Sequence, residues 1–456
     1  MSDTSPPQTS AAKTYVEAER ALLARWPETK LDPTLDRIAA FTEMLGDPQK
    51  AYPVIHLTGT NGKTSTARMI DALLRALGLR TGRFTSPHVE SMTERISIDG
   101  EPLTEEQFLE AYRDIAAIAS VIDEEGDHPL SFFETVVAMA YSSFADAPVD
   151  AAVVEVGMGG SWDATNVADG SVAVVLPVSV DHAQYLGGRP EEIAIEKSGI
   201  IKPNATVVMA EQTPEVAEVM LGKAVEVGAT VAREGVEFGI INRVPAVGGQ
   251  MLHLQGLRGE YDEVFLPLHG AHQAHNAAIA LATVEAFVGD EPLGAELVRE
   301  AFAQVTSPGR LEVIRRSPTI VLDAAHNPSG AAAVADALQD SFTFSPLIGV
   351  VGVMADKDYE GVLEAFEPVF AEIVCTQNTT SRAMPAEELA EVARGIFGVE
   401  RVHVARRLDD AIEQAATLAE EGGVYGEAIG SGAVLVTGSV ITVGEARSML
   451  KPRERS

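Results

Sequence analysis

A glycine-rich turn that ends in a lysine and a threonine is the part of this sequence with the clearest chemistry. Residues 58–66 are Thr-Gly-Thr-Asn-Gly-Lys-Thr-Ser-Thr, directly after the apolar run at residues 52–57. Gly59 and Gly62 let backbone N–H groups close on phosphate oxygens. Lys63 adds a positive charge near the β- and γ-phosphates, and the Thr64 hydroxyl can hold Mg²⁺. The turn therefore predicts a nucleotide-phosphate site, and the alternative is a glycine turn without a ligand.

The flanks of this turn have the periodicity that a phosphate loop needs. Residues 65–79 carry apolar side chains at helical spacing, so a strand precedes the turn and a helix follows it. One departure from the general pattern is Leu57, which stands where that pattern has its first glycine.

Acidic and histidine side chains end two further apolar runs. Glu155 closes the run at residues 150–156 and precedes Gly157-Met-Gly-Gly160, while Asp181 and His182 follow the run at residues 172–180. Because α/β sheets bind ligands at the carboxyl ends of their strands, these positions indicate metal contacts near the phosphate loop. The alternatives are a strand-end carboxylate in solvent and a structural histidine.

Other polar positions have weaker local signals. Lys197 precedes Ser-Gly, which is typical of a helix end with a glycine cap, and nothing in the local pattern marks it as catalytic. Asp323 and His326 lie at a strand-to-helix turn, where they can touch ribose or phosphate or form a capping turn. Cys375, the single cysteine, fits a small apolar position and excludes an internal disulfide.

The composition limits the classes of partner. The chain has 456 residues, with 34 Lys and Arg against 67 Asp and Glu, for a net charge of −33. So acidic a chain repels nucleic acid and anionic membranes and must concentrate positive charge wherever it binds an anion. No apolar stretch is long enough to span a membrane, and residues 1–13 lack a signal-peptide core. We expect a soluble cytoplasmic protein with no nucleic-acid or membrane partner.

The elements that position these residues alternate between strands and helices. Strands are predicted at residues 53–58, 150–156, 172–180 and 206–210, helices at 104–121, 133–144, 214–227 and 272–288, and a few antiparallel strands within 229–266. The breaker Ser-Pro-Gly at residues 307–309 indicates an interdomain linker. After it, strands are predicted at 320–323, 347–353, 373–376, 402–405 and 433–437, with helices from 329 and at 358–370, 385–396 and 408–420. We therefore predict two domains, residues 1–305 and 306–456, of which the second is doubly wound.

Ten segments in one order resemble the Mur ligase superfamily and, within it, the folylpolyglutamate synthase and dihydrofolate synthase family. The resemblance spans nearly the whole chain. Its segments are residues 58–64, 85–88 with 94–96, 131–134, 155–160, 162–167, 181–182, 196–200, 272–276, 308–311 and 323–328. The family's loop is Gly-x-x-Gly-Lys, so Leu57 is no obstacle. The fold that the resemblance implies is α/β, with a P-loop parallel-sheet ATPase domain of Mur ligase type and a second doubly wound, Rossmann-like domain.

The resemblance also implies roles for individual residues. The ATP site would comprise Gly59, Thr60, Asn61, Gly62, Lys63, Thr64, Ser65, Asn276, Arg310, Asp323 and His326. Asn276 would contact adenine, and Arg310 and Asp323 would reach the phosphates and ribose. Ser86 and Glu155 would hold one Mg²⁺, and Glu155, His182 and Lys197 a second, with Thr64 able to add a hydroxyl. In this family the lysine that matches Lys197 is carbamylated. The resemblance implies four catalytic residues, namely Lys63, Glu155, His182 and Lys197.

Three segments resemble those that line the pterin site of related enzymes. They are Thr34, Leu35, Asp36 and Arg37; Ser131, Phe132, Phe133 and Glu134; and Trp162, Asp163 and Ala164. Phe132 and Phe133 have flat aromatic rings, and either of them can stack on a pterin. Ser161 stands where relatives often carry arginine, and Met158 and Trp162 where leucines are frequent, so this sequence departs from the family beside the pterin segment.

The implied function is an ATP-dependent amide ligase that adds L-glutamate to folates and also to dihydropteroate through an acyl phosphate. The partners would be ATP, L-glutamate and a folate or dihydropteroate, the cofactor Mg²⁺ at two sites, and the protein a monomer. A cell-wall ligase acting on a UDP-muramyl acceptor is the alternative. Such enzymes carry a UDP-binding domain of about a hundred residues before the loop, more than the 58 residues that precede Gly59. A nucleotide-dependent switch or motor and a non-catalytic folate-binding module are the rivals from other classes.

Overall fold

The computed structural model describes residues 12–27, 32–126, 128–421 and 432–451, and they form two compact units. The first unit is delimited by Met1–Ile241, His253–Val264 and His275–Phe302, and the second by Asn242–Leu252, Phe265–Ala274 and Ala303–Ser456. The domain boundary between residues 305 and 306 stays a prediction.

The first unit is built on an eight-stranded sheet. Its strands are β1 (Val54–Thr58), β2 (Thr81–Phe84), β3 (Ile96–Ile98), β4 (Glu101–Pro102), β5 (Ala151–Glu155), β6 (Gly170–Val175), β7 (Thr206–Met209) and β8 (Thr230–Arg233). Their order is β4-β3-β2-β5-β1-β6-β7-β8. The six strands from β2 to β8 in this order are parallel, and β3 and β4 add an antiparallel edge. In the register of β1 with β5, Leu57 lies opposite Glu155, so the glycine turn and Glu155 emerge at the same edge.

The helices of the first unit are α1 (Tyr15–Leu23), α2 (Asp36–Met44), α3 (Lys63–Ala76), α4 (Glu105–Glu125), α5 (Phe132–Asp146), α6 (Ala183–Leu186), α7 (Pro190–Lys197), α8 (Pro214–Val227), α9 (Ala271–Val288), which belongs to this unit from His275 onward, and α10 (Ala295–Ala303). Capping boxes begin α4 and α5, because Thr104 and Ser131 accept from the backbone three residues on. One apolar core lies among α1, α2, α4 and α5, and a second among β6, β7, α7 and α8.

The segment at residues 229–266 differs in part from its prediction. Its first strand, β8, pairs parallel with β7, because α8 carries the chain back across the sheet as a crossover helix. The expectation of an antiparallel strand there is wrong. The strands that follow, β9 (Gly239–Ala246), β10 (Gly249–Gln255) and β11 (Glu260–Leu266), form a separate sheet in the order β11-β10-β9.

The second unit contains a six-stranded sheet with the order β12-β13-β17-β14-β15-β16. Its elements are β12 (Glu312–Arg316), β13 (Thr319–Leu322), α11 (Pro328–Ser341), β14 (Leu347–Val351), α12 (Tyr359–Phe366), β15 (Glu372–Cys375), α13 (Ala386–Phe397), β16 (Val402–Val404), α14 (Leu408–Glu421), β17 (Ala433–Thr437) and α15 (Val440–Leu450). All pairs are parallel except β12 with β13. The predicted α/β architecture is confirmed in both units.

Two general expectations concern the whole described chain. None of the helices in the described ranges is both long and apolar enough to cross a membrane. Cys375 lies buried in the second unit's core, and burial raises the pKa of its thiol to about 12, so it is a packing residue as the sequence indicates.

Candidate active site

The predicted phosphate loop connects β1 to α3, and two glycines make its shape possible. Gly59 has a φ of 149° and Gly62 a φ of 87°. A Cβ atom on Gly59 would lie 2.5 Å from the Cβ of Leu176, so no larger residue fits there. Lys63 Nζ donates to the carbonyl oxygens of Gly59 at 3.0 Å and Thr60 at 3.2 Å. The lysine charge is thus held at the loop itself, where a phosphate needs it.

The chain after β6 supports this loop from the side. Thr60 N–H donates to Pro177 O at 2.9 Å, and the Thr60 hydroxyl bonds the backbone of Ser179 in both directions at 2.8 and 2.9 Å. The strand predicted to reach residue 180 therefore ends at Val175, since Pro177 has no N–H and the residues beyond bond the loop. Gln212 fixes the same segment, with contacts to the backbone at 3.0 and 3.1 Å. No local signal in the sequence marks Gln212.

Oxygen ligands gather beside the loop at the end of β5. Glu155 is 1% exposed, and Thr64 Oγ1 donates to both of its carboxylate oxygens at 3.0 Å. The backbone N–H of Ser86 lies 3.4 Å from the same carboxylate. Three of the residues predicted to bind metal therefore lie together. A carboxylate and hydroxyls are ligands that Mg²⁺ prefers, so the side chains present fit that ion.

Lys197 reaches the loop from the end of α7. It is 5% exposed, and its Nζ donates to Gly59 O at 3.0 Å. Burial and, after it, the nearby Lys63 charge lower the pKa of Lys197 to about 7, while Asp181 acts in the opposite direction. Near neutral pH the side chain is therefore an uncharged, nucleophilic amine in a substantial fraction of the molecules. No local feature of the sequence indicates this lowered pKa.

Close packing against a glycine fixes the position of Lys197. A Cβ atom on Gly160 would lie 2.8 Å from the carbonyl oxygens of both Glu196 and Lys197. Ser161 N–H donates to Glu196 O at 3.0 Å, and Trp162 N–H donates to Glu196 Oε1 at 3.2 Å. Glu196 thus orients the segment after Gly160, a role that sequence reasoning missed.

His182 directly precedes α6 and has a left-handed backbone conformation, with a φ of 53°. Its backbone N–H donates to Asp181 Oδ1 at 2.7 Å, and its Nε2 lies 3.9 Å from Asp181 Oδ2. Across the described ranges, no three His, Cys, Asp or Glu side chains form a cluster able to hold a metal.

Asn276, predicted to contact adenine, lies against the loop. It is 4% exposed, and a Cβ atom on Gly62 would come within 2.6 Å of Asn276 Oδ1. The structure therefore brings a residue of α9 into contact with the turn that precedes α3.

Two of the predicted pterin segments meet through an ion pair. Arg37 Nε lies 3.2 Å from Glu134 Oε1, which joins residues 34–37 to residues 131–134. The Arg95 guanidinium lies 4.9 Å over the Phe132 ring, which is 6% exposed. Phe133 packs against Gly157, where a Cβ atom would lie 2.4 Å from its ring. Binding of a pterin by these segments stays a prediction.

The third pterin segment, Trp162 to Ala164, contains a buried carboxylate. Asp163 is 3% exposed, and it accepts from Met158 N–H at 2.9 Å and Thr165 N–H at 3.0 Å. Burial raises the pKa of Asp163 to about 6, although these hydrogen bonds oppose the rise. Asp163 thereby ties the glycine turn at residues 157–160 to the next segment, and Ala164 is buried beside it.

The remaining predicted nucleotide residues lie in the second unit. Asp323 is 2% exposed and accepts from Leu311 N–H and Ala325 N–H, each at 2.9 Å. Burial raises the pKa of Asp323, and the nearby Arg310 charge opposes the rise. Arg310 Nη1 donates to Gly309 O at 3.1 Å, and His326 Nδ1 lies 3.0 Å from Ala324 O. Asp323 therefore holds together the two turns that carry Arg310 and His326.

Comparison with known proteins gives the family. The Mur ligase middle domain matches residues 57–284, and the Mur ligase glutamate ligase domain matches residues 309–440. A dihydrofolate synthase/folylpolyglutamate synthase of Mycobacterium tuberculosis is 50% identical over 454 residues, which cover 95% of this chain and 93% of that protein.

Solved structures agree. Mycobacterium tuberculosis folylpolyglutamate synthase complexed with ADP and AMPPCP has a TM-score of 0.92 at 49% identity, over 96% of this chain and 98% of that one. An Escherichia coli protein in complex with DHPP and ADP has a TM-score of 0.84 at 28% identity, over 97% and 98% of the two chains. The predicted Mur ligase-like fold is confirmed. This chain therefore belongs to the Mur ligase family, within it to the dihydrofolate synthase/folylpolyglutamate synthases, and it is an ATP-dependent ligase.

Proposed function

We propose that this enzyme joins the amine of L-glutamate to the carboxylate of a folate, and that it accepts both tetrahydrofolates and dihydropteroate. The observation that carries the proposal is the meeting of Lys63 and Lys197 at Gly59, beside the Thr64–Glu155 pair. A relative that shares half of the residues of this chain is named for both activities.

ATP binds with its phosphates on the loop. Backbone N–H groups of residues 61–64 donate to phosphate oxygens at the start of α3, and Lys63 offsets the charge on the transferring phosphoryl group. Asn276, in contact with Gly62, contacts adenine. The nucleotide role of Arg310, Asp323 and His326, which belong to the second unit, stays a prediction, and Asp323 supports the turns that carry the other two.

Two Mg²⁺ ions belong to this site. Thr64, Ser86 and Glu155 would hold the first, and Glu155, His182 and Lys197 the second. When bound, the ions offset charge on the phosphates and orient them. The residues fit, because Thr64 and Glu155 place hydroxyl and carboxylate oxygens within 3.0 Å of one another.

Lys197 joins that set as a carbamate. An ammonium group repels a cation, but the uncharged amine of Lys197 can attack the carbon of CO₂. A C–N bond forms, the nitrogen loses a proton, and the product is a carboxylate-like anion. The lowered pKa of about 7 supplies the uncharged amine that this step needs.

The reaction has two chemical steps. A carboxylate oxygen of the acceptor attacks the γ-phosphorus of ATP, so that an acyl phosphate and ADP form. The amine of L-glutamate then attacks the acyl carbon, phosphate leaves, and the nitrogen loses a proton. Lys63 stabilises charge in the first step, and the buried setting of Glu155 and Lys197 limits water at the reacting groups.

The acceptor lies along Thr34 to Arg37, Ser131 to Glu134 and Trp162 to Ala164. The Arg37–Glu134 contact joins the first two segments, and the Asp163 bonds connect the third to the glycine turn beside Lys197. We further propose that the protein works in the cytoplasm as a monomer.

The test is phosphate release from Mg-ATP with L-glutamate, run with dihydropteroate, with tetrahydrofolate and with a UDP-muramyl peptide. Glutamate-dependent release with both folate acceptors, lost in Lys63→Ala, is the expected result. Release with one folate acceptor restricts the enzyme to one ligation. Release with the muramyl acceptor alone would show that the enzyme is a cell-wall ligase.

A further inference from the structure

A buried carboxylate just after β8 connects two parts of the first unit that both touch the phosphate loop. The side chain of Glu234 is 6% exposed. One of its oxygens lies 2.6 Å from His275 Nδ1 on α9, and the other accepts from Glu211 N–H at 3.1 Å. Glu234 therefore joins α9 to the chain that follows β7.

On the β7 side, the connection continues to Thr60. Gln212, next to Glu211, accepts from Val178 N–H at 3.1 Å and donates to Leu176 O at 3.0 Å. Residues 176–179, which Gln212 thus fixes, bond the backbone of Thr60 through Pro177 and its hydroxyl through Ser179.

On the α9 side, the connection returns to the same loop. His275 directly precedes Asn276, whose side-chain oxygen packs against Gly62. The contacts thus form a closed ring that leaves the loop at Thr60 and returns to it at Gly62, with Glu234 as the bridge.

We infer that Glu234, acting through His275, is a positioning residue for nucleotide binding. Glu234 fixes the position of Asn276, which contacts Gly62, relative to residues 177–179, which bond Thr60. Hydrogen bonds to a charged, buried group are stronger than those between neutral groups, so a single carboxylate can fix both sides of the ring. The inference rests on the proposed assignment of ATP to this loop.

The experiment compares Glu234→Ala, His275→Ala, the double variant and Glu234→Gln by ATP KM, glutamate KM, kcat and affinity for a non-hydrolysable ATP analogue. The His275 side chain is 47% exposed, so His275→Ala tests the idea with little risk to folding. A matched control is the pair Glu372 and His403 in the second unit, in which His403 Nε2 also lies 2.6 Å from a carboxylate oxygen, Glu372 Oε2. Lys63→Ala tests the assignment of the nucleotide separately.

We expect each single alanine variant to raise the ATP KM and the analogue Kd about tenfold, the size of one lost hydrogen bond to a charged group. The glutamate KM stays unchanged and the double variant is no worse than Glu234→Ala. Glu234→Gln keeps the shape and one acceptor oxygen but not the charge, so its ATP KM lies between those of the parent enzyme and Glu234→Ala. Glu372→Ala and His403→Ala leave the ATP KM unchanged.

Three results would overturn the inference: an unchanged ATP KM in His275→Ala, additive effects in the double variant, or an equal rise in the control pair. Unchanged nucleotide affinity in Lys63→Ala would instead overturn the proposed nucleotide site, so the two failures are distinguishable.

Discussion

The carbamate proposed for Lys197 can be tested by removing CO₂ from the enzyme and then restoring it. With a pKa of about 7, Lys197 is an uncharged amine in roughly a tenth of the enzyme molecules at pH 6 and in about nine-tenths of them at pH 8. An exposed lysine, with a pKa near ~10.4, would be under ~1% uncharged at pH 8. Since only the uncharged amine attacks CO₂, carbamate should form about ten times faster at pH 8 than at pH 6 for equal dissolved CO₂.

The assay starts with enzyme stripped of CO₂ in degassed buffer. Labelled ¹³C-bicarbonate is added, and recovery of phosphate release is followed together with the carbamate resonance in ¹³C NMR. Lys197→Arg should show neither recovery nor resonance, while Lys202→Arg, which changes a nearby lysine bonded to Asn166 O, should behave as the parent enzyme. Equal recovery rates at pH 6 and pH 8, or a carbamate resonance in Lys197→Arg, would refute the assignment.

Two further substitutions test packing. Gly160→Ala should lower stability by about 1–3 kcal/mol and reduce activity, because backbone oxygens at the end of α7 block its Cβ; Gly222→Ala, in open space on α8, should be neutral or stabilising in thermal melting. Asp71→Asn should cost about 3–5 kcal/mol in urea unfolding, because Arg83, 2.9 Å away and 3% exposed, would keep a buried charge. Glu391→Gln removes one partner of an exposed ion pair, so it should change the free energy of unfolding by under ~0.5 kcal/mol. Equal losses in Gly160→Ala and Gly222→Ala would contradict the packing argument, and equal losses in Asp71→Asn and Glu391→Gln would contradict the argument from buried charge.

Much of the site follows from local sequence. The buried run of β1, the glycines of the turn and the helical spacing after Lys63 are short-range signals, and they predict the phosphate loop that the structure contains. Glu155 was predictable too, because it ends a buried strand beside β1 in a parallel sheet.

Other parts depend on contacts between distant segments. Lys197 resembles an ordinary helix end in sequence, and its lowered pKa arises only because the fold buries it against Gly59. Gln212 and Glu234 lie at the ends of neighbouring strands and act on a loop some 150 residues earlier, so no local pattern marks them. The direction of β8 differs from the prediction, because residues 229–266 share a composition typical of antiparallel strands, whereas the helix before them, α8, makes β8 parallel to β7.

Transfer of ¹⁸O from acceptor to phosphate tests the central claim most directly. Dihydropteroate labelled in both carboxylate oxygens is incubated with Mg-ATP and L-glutamate, and the released phosphate is analysed by mass spectrometry. The proposed acyl phosphate predicts one ¹⁸O in each phosphate and one in each amide product, with no transfer in Lys63→Ala. Unlabelled phosphate released alongside amide product would contradict the account, because the acceptor carboxylate would not have been phosphorylated.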